Sequence, residues 1–413
     1  MAKLLYLVHR LPYPPNKGDK VRSYHLLQHL LTGHRVFLGT FVDDPDDQQH
    51  VPTLQGWCAE VCAEPLQPLP AKLRSLAALA DGEPLTLRYY RNARLDRWVR
   101  EVCRREAIDA VIVFSSSMAP YARHAAGVPV LVDLVDVDSA KWTEYARNRP
   151  WPMSWLYRRE GERLLAYERQ VAASAHSTFL VTEKEADLFR RLAPECAGRV
   201  QAVGNGVDAD FFAPDAQRAS PFAAGELPVV FTGAMDYWPN VDAVVWFATE
   251  VLPALRQRWP ALRLHIVGRS PTPAVQALAG EGVAVSGTVP DVRPYLQHAL
   301  AVVAPLRLAR GVQNKVLEAM AMARPVVCAA SCAEAIDARH DHDLLAAEQA
   351  ADYVAQLSRV LESPALAQQL GEAGRRFVRD RYGWAARLAP LGRLLAEAMQ
   401  ARAPAMPAEV ASA

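Results

Sequence analysis

Glu318 sits one turn inside a helix that follows a glycine turn, and this is where the chain's chemistry is most legible. The stretch VVAPLRLARGVQNKVLEAMAMARPVV, residues 302–327, reads as a buried strand, a turn at Arg310-Gly311, a helix from Asn314 to Ala323 and a stop at Pro325. Val316, Leu317, Met320 and Ala321 recur at helical spacing. Unpaired amides at a helix start suit a phosphate. A carboxylate one turn further in can accept both hydroxyl protons of a sugar diol. One short unit could therefore hold diphosphate and ribose together. The alternative is an ordinary βαβ piece with a solvated glutamate.

Three further groups carry chemical potential. After the first strand, KLLYLV, the loop RLPYPPNKGDKVRS contains Gly18 among Lys17, Lys20 and Arg22. In a doubly wound sheet that loop faces the ligand crevice, where these residues could approach a phosphate or sugar, or simply be solvated. Asp133, Asp136 and Asp138 follow a strand end. They could hold a divalent metal on a nucleotide, or cap the next helix and pair with local basic groups. The six cysteines include no C-x-x-C pair. Cys58/Cys62 and Cys328/Cys332 could each place two thiolates on one helix face, but no further ligand is grouped with either. Free, reduced cysteines are expected.

The elements that must position these residues alternate between strands and helices. A helix SYHLLQHLL and a strand HRVFLGTFV follow the first loop. Pro-rich LQPLPAKL suggests a linker, and LTLRYYRNARLDRWVREVCRRE one basic helix. Strands resume at 110–114 and 128–135. The segment 141–171, rich in Trp, Tyr and Arg, reads either as a helix pair wrapping the first sheet or as a surface resting on lipid headgroups. Asn205-Gly206 marks a turn near mid-chain. The second half repeats the pattern: LPVVFTGAM ending a strand at Gly233, a helix opened at Pro239, a strand reaching Gly268-Arg269, then residues 302–327. The fold class is therefore α/β with a parallel sheet in each half. With 413 residues, two domains are expected, and the formal charge of +1 gives no sign of nucleic-acid binding. The N-terminal run is too short for a secretory signal, and no stretch is apolar enough to span a membrane. These features predict a cytoplasmic protein, at most peripheral to the inner face of the membrane.

Several motifs occur in order and at suitable separations: GNGVD with Phe212 and Pro214, FTGAM before PN, HIVGR, SGTVPDVRPYL and NKVLEAMAMARPVV. Together they resemble the family 4 glycosyltransferases of GT-B fold. VDLVDVDSAKW with GVQNKVLEAMAM looks closest to a bacterial subgroup associated with exopolysaccharide and the PEP-CTERM/exosortase system. The resemblance implies two Rossmann-like, doubly wound parallel-sheet domains facing a central cleft. It implies an acceptor-side domain over 1–204 and a nucleotide-sugar domain over 205–384. A helix over 385–400 would cross back, and 401–413 would form a disordered tail. By that resemblance Glu318 holds the ribose, amides at Gly311 and Val312 meet the diphosphate, Gly233 lines the cleft and Gly18 closes it. Transfer would retain anomeric configuration and need neither metal nor cofactor.

The sequence departs from the family pattern in three places. The first of two paired glutamates would fall at Arg310. The Arg and Lys that usually follow the Gly233 strand correspond to Ala234 and Asn240. Val132 stands where many relatives carry a histidine. The expectation is that Arg269, Arg310 and Lys315 supply the missing charge, and that Asp133 and His9 contact sugar or acceptor. The implied activity moves a sugar from a nucleotide-diphospho-sugar to a growing, lipid-linked glycan. The competing readings are a nucleotide-sugar-binding scaffold without chemistry, and another reaction on a nucleotide sugar such as epimerisation.

Overall fold

The structure is a computed structural model in which residues 1–15, 18–147, 150–307 and 312–402 are described. The chain divides into two compact units, Met1–Asn205 with Arg387–Ala413, and Gly206–Ala386.

The first unit holds β1 (Ala2–Val8), β2 (His34–Val42), β3 (Glu60–Pro65), β4 (Ala110–Phe114), β5 (Val130–Val135), β6 (Ser177–Leu180) and β7 (Val200–Ala202). They pair in the order β3-β2-β1-β4-β5-β6-β7, every pair parallel. From Leu4 to Val8, β1 is fully buried, as its unbroken apolar run requires of a strand covered on both faces. The strand order reverses between β1 and β4. The loops leaving these two strands diverge there and open a crevice at their C-terminal ends.

The second unit holds β8 (Leu227–Thr232), β9 (Leu262–Val267), β10 (Val283–Gly287), β11 (Ala301–Ala304), β12 (Val326–Ala329) and β13 (Leu345–Ala347). Their order is β10-β9-β8-β11-β12-β13, again all parallel. The switch point falls between β8 and β11, the strands that lead to Gly233 and to the Glu318 helix. Both halves are thus the doubly wound α/β sheets expected from the sequence.

Local departures have physical causes. The first helix spans Gly18–Leu31, five residues earlier than its apolar spacing suggests. Its early turns carry Lys20 and Arg22, read from the sequence as loop cations, and both are about 1% exposed. Lys20 Nζ pairs with Asp47 at 2.8 Å. Arg22 Nε donates to Asp133 at 2.8 Å, and Nη1 donates to Asn205 at 3.0 Å. The expected linker at LQPLPAKL instead follows β3 directly and after two residues enters the helix Pro68–Ser75. The expected single basic helix breaks at Asn92, whose side chain accepts from the amides of Arg94 and Leu95 and starts the helix Ala93–Arg105. The last helix, Trp384–Arg402, carries helical backbone through Ala401 and Arg402, where a tail was expected; residues 403–413 lie outside the described residues.

Neither cysteine pair shares a helix face. Cys58 ends a helix and Cys62 lies in β3, while Cys328 lies in β12 and Cys332 in the following helix. All six are free.

The Arg22–Asp133 pair links the first helix to the middle of the sheet, and removing one partner strands a buried charge. Asp133→Ala is expected to lower unfolding free energy by about 3–5 kcal/mol in urea titrations. A loss below ~1 kcal/mol would show that the pair carries no structural weight.

Candidate functional site

The richest site geometry lies at the switch point of the second unit. β8 ends in Gly233 (φ 153°) and β9 in Gly268 (φ 154°). A Cβ on Gly268 would lie 1.7 Å from the Gly233 carbonyl oxygen, so the two strand-end turns meet backbone to backbone. The amide of Met235 then donates to the Arg269 carbonyl at 2.8 Å, joining the two turns a second time.

Into this corner comes Lys315 from the helix Asn314–Ala321. Its Nζ lies 3.1 Å from where a Cβ on Gly233 would stand and 4.2 Å from the centroid of the Phe231 ring. It donates to Asn240 Oδ1, and Asn240 Nδ2 donates to the Ala234 carbonyl at 2.8 Å. Burial pulls Lys315 down to about 8. Glu318, one turn on, is half-buried, and its carboxylate makes no hydrogen bond or ion pair among the described residues. Burial pushes its carboxyl up to about 7, against the pull of Lys315. An ammonium fixed against a glycine turn, with an unengaged carboxylate one turn away, suits an anion linked to a diol.

The structure brings Gly233, Lys315 and Glu318 into one corner. Arg269 adjoins it through its backbone, while its side chain is exposed and pairs with no acid among the described residues. Val312 precedes the helix and packs against the core. Arg310 and Gly311 lie outside the described residues. Asn240 and Phe231 were missed as positioning groups, although a PN step after a strand glycine was visible. Arg307 was also missed. It pairs with Asp242 and lies 5.4 Å from the Trp246 ring.

In the first unit, His9 follows β1, stacks on Phe114 at 5.8 Å and meets the Tyr90 edge at 5.8 Å. A hollow of about 210 Å³ beside it is lined by Tyr90, Asn92, Ser117 and Tyr121. Gly18 is the first residue of its helix. Asp133, expected to meet sugar or acceptor, is instead 0% exposed and held by Arg22, so its carboxylate faces the interior. Asp136 and Asp138 both pair with Lys141, which resolves that trio into local ion pairs.

Two doubly wound units, one carrying such a corner at its switch point, define a GT-B architecture. The chain belongs to the group 1, family 4 glycosyltransferases, enzymes that transfer glycosyl groups: residues 20–206 match the glycosyl transferase 4-like domain and residues 226–363 the glycosyl transferases group 1. No curated protein sequence matches it. Among solved structures it is similar to sucrose-phosphate synthase from Thermosynechococcus elongatus, with TM-score 0.64 and 18% identity over 97% of this chain and 100% of that one. It is similar to Anabaena Alr3699/HepE in complex with UDP, with TM-score 0.63 and 15% identity over 96% and 100%. It is also similar to WaaG, a glycosyltransferase involved in lipopolysaccharide biosynthesis, with TM-score 0.55 and 15% identity over 95% and 99%.

The raised Glu318 pKa has a testable sign. In the unfolded chain this carboxyl ionises near the ordinary value of about 4.3. In the folded chain it holds its proton to about 7. Below both values the group contributes its full stabilisation, which is lost as pH rises through this window because the unfolded state releases the proton first. Glu318→Gln is therefore expected to melt like the native protein at pH 4 and increasingly above it up to a plateau near pH 8. A pH-independent difference in circular-dichroism melts would show that Glu318 titrates normally.

Proposed function

We propose that this chain transfers a sugar, with retention and without a catalytic metal, from a nucleotide-diphospho-sugar to a growing lipid-linked glycan in exopolysaccharide assembly. The observation that carries the reading is the Gly233–Lys315–Glu318 corner at the β8/β11 switch point. In this reading Lys315 faces the diphosphate and stabilises the leaving charge, while Glu318 accepts the ribose hydroxyls. Arg269 and Arg310 add positive charge, and the amides of Gly311 and Val312 meet the phosphates. Gly18 and His9, both in the first unit, are the further candidates, His9 for acceptor contact beside the Tyr90 hollow. HepE has been seen with UDP and with UDP-glucose, which makes UDP-sugars the first donors to test. The combination VDLVDVDSAKW and GVQNKVLEAMAM supports the exopolysaccharide subgroup within the family.

Lys315→Ala is expected to weaken UDP-sugar binding tenfold or more, about 1.4 kcal/mol. Unchanged affinity in calorimetry would remove Lys315 from the site. The second reading, a binding scaffold without chemistry, is favoured by the missing partner glutamate at Arg310. Nucleotide release that requires added acceptor supports transfer, whereas donor binding with no release under any acceptor supports the scaffold.

A membrane-adjacent acceptor is supported by one surface of the first unit. Among the described residues no helix is long and apolar enough to cross a membrane. Yet Leu69 and Leu73, one turn apart on the helix Pro68–Ser75, are 74% and 70% exposed. Lys72 and Arg74 alternate with them, and Leu76 and Leu79 continue the exposed run. The helix Met153–Ser174 is held to this segment where Arg159 donates to the Ala78 carbonyl at 2.6 Å. One turn before Arg159 stands exposed Trp155, and Trp151 is 80% exposed. Leucines and tryptophans flanked by cations suit an anionic lipid surface at the cytoplasmic face. The Leu69→Ser/Leu73→Ser double variant is expected to lose cosedimentation with phosphatidylglycerol-containing vesicles while keeping UDP-sugar affinity. Equal cosedimentation of variant and native protein would sink the membrane assignment.

A further inference from the structure

A second cavity, of about 570 Å³, lies at the opposite edge of the second sheet from the Lys315 corner. Leu227 at the start of β8, Leu300 just before β11 and Pro325 just before β12 line it, so it faces the N-terminal ends of the strands. Trp259, Val360 and Leu361 complete apolar walls. This edge is the wrong one for the nucleotide crevice of a doubly wound sheet, so the donor reading does not account for the cavity.

One charge is set into those walls. Arg324 is half-buried, and among the described residues its side chain makes one marginal hydrogen bond, from Nε to the Met322 carbonyl at 3.5 Å. It forms no ion pair among the described residues. Glu372 lines the same cavity, but its carboxylate accepts from Gln368 at 2.9 Å and lies 4.0 Å from Arg376 instead. Burial alone pulls the Arg324 guanidinium below the usual arginine range, with no carboxylate countering it. Arginines set among apolar groups are ordinarily paired, because desolvation of an unpaired guanidinium is unfavourable.

The backbone that presents Arg324 is fixed in place. Ala323 takes φ 55°, a left-handed conformation that is unfavourable for a residue with a Cβ. The amide of Ala323 donates to Met320 at 3.0 Å and that of Arg324 to Ala319 at 3.1 Å. Gly371 lets the turn close down on the helix Pro364–Arg381, since a Cβ there would lie 2.2 Å from the Ala323 carbonyl oxygen. The guanidinium is thus held by a constrained turn rather than by a mobile loop.

We propose that this cavity binds a small amphipathic carboxylate, its charge paired with Arg324 and its apolar body against Leu300, Trp259 and Leu361. A planar guanidinium matches a carboxylate with two parallel hydrogen bonds. A single cation neutralises a single negative charge; a phosphate monoester would leave a second charge facing leucine and tryptophan. The volume admits a chain of several carbons while leaving the donor corner free. The ligand would touch the turn that ends the helix whose other end carries Lys315 and Glu318.

Octanoate and 1-octanol share an apolar body and differ in the charged head, so calorimetry of the full chain with both isolates the role of Arg324. Octanoate is expected to bind at one site at least tenfold more tightly than octanol. Arg324→Gln should abolish that preference and leave octanol affinity unchanged. Leu300→Glu, which places a repelling carboxylate in the cavity wall, should weaken octanoate more than octanol and serves as the second variant should Arg324→Gln fail to fold. Equal affinities for the two probes, or an octanoate preference that survives a folded Arg324→Gln or Leu300→Glu, would overturn the proposal. Neither outcome depends on UDP-sugar binding, which tests the donor corner separately.

Discussion

The Gly233–Lys315 corner depends on a contact between two glycines. Where β8 and β9 leave the sheet, Gly268 approaches the Gly233 carbonyl so closely that no side chain fits between them. That contact empties a corner at the sheet's edge and leaves Gly233 without a Cβ at the place Lys315 reaches. Asn240 and Phe231 then hold the ammonium from two sides, one by hydrogen bond and one by its ring. A strand-end Cβ at either glycine would displace the ammonium or the turn itself.

The energetic character of that corner follows from its burial. Lys315 sits against an aromatic ring and an amide with little solvent access, so its charge is weakly held. Glu318 meets the same low polarity and binds its proton more tightly than a surface glutamate does. Each is costly to keep charged where it stands, and in the proposed reading each would gain a partner from a diphosphate and a diol. The instability of the unliganded pair is thus part of what would make a donor bind.

The first unit shows the opposite use of charge. Arg22, Asp133 and Lys20, Asp47 are buried pairs that fasten the first helix to the sheet and its neighbouring loop. Their residue types in a loop-like, proline-rich stretch look identical to ligand-binding cations. Only burial separates the two roles. Arg22 gives Nε to Asp133 and Nη1 to Asn205, and burial of both partners leaves the Asp133 carboxylate no exposed face to offer a sugar.

Much of the architecture was readable from the chain. Unbroken apolar strands such as LLYLV and VVFT demand cover on both faces, and helices between them force parallel order. The helix at NKVLEAMA announces itself through apolar spacing and the proline that stops it, and the placement of Glu318 and Lys315 one turn apart follows from helical geometry alone. What tertiary structure decided was which charges are exposed and which neighbours they meet. Asn240 lies 75 residues from Lys315, Asp133 lies 111 from Arg22, and the cavity around Arg324 draws its walls from six separate segments. Local spacing carries no information about such pairings, because they are set by the order in which strands join a sheet and by the few positions where backbone approaches backbone.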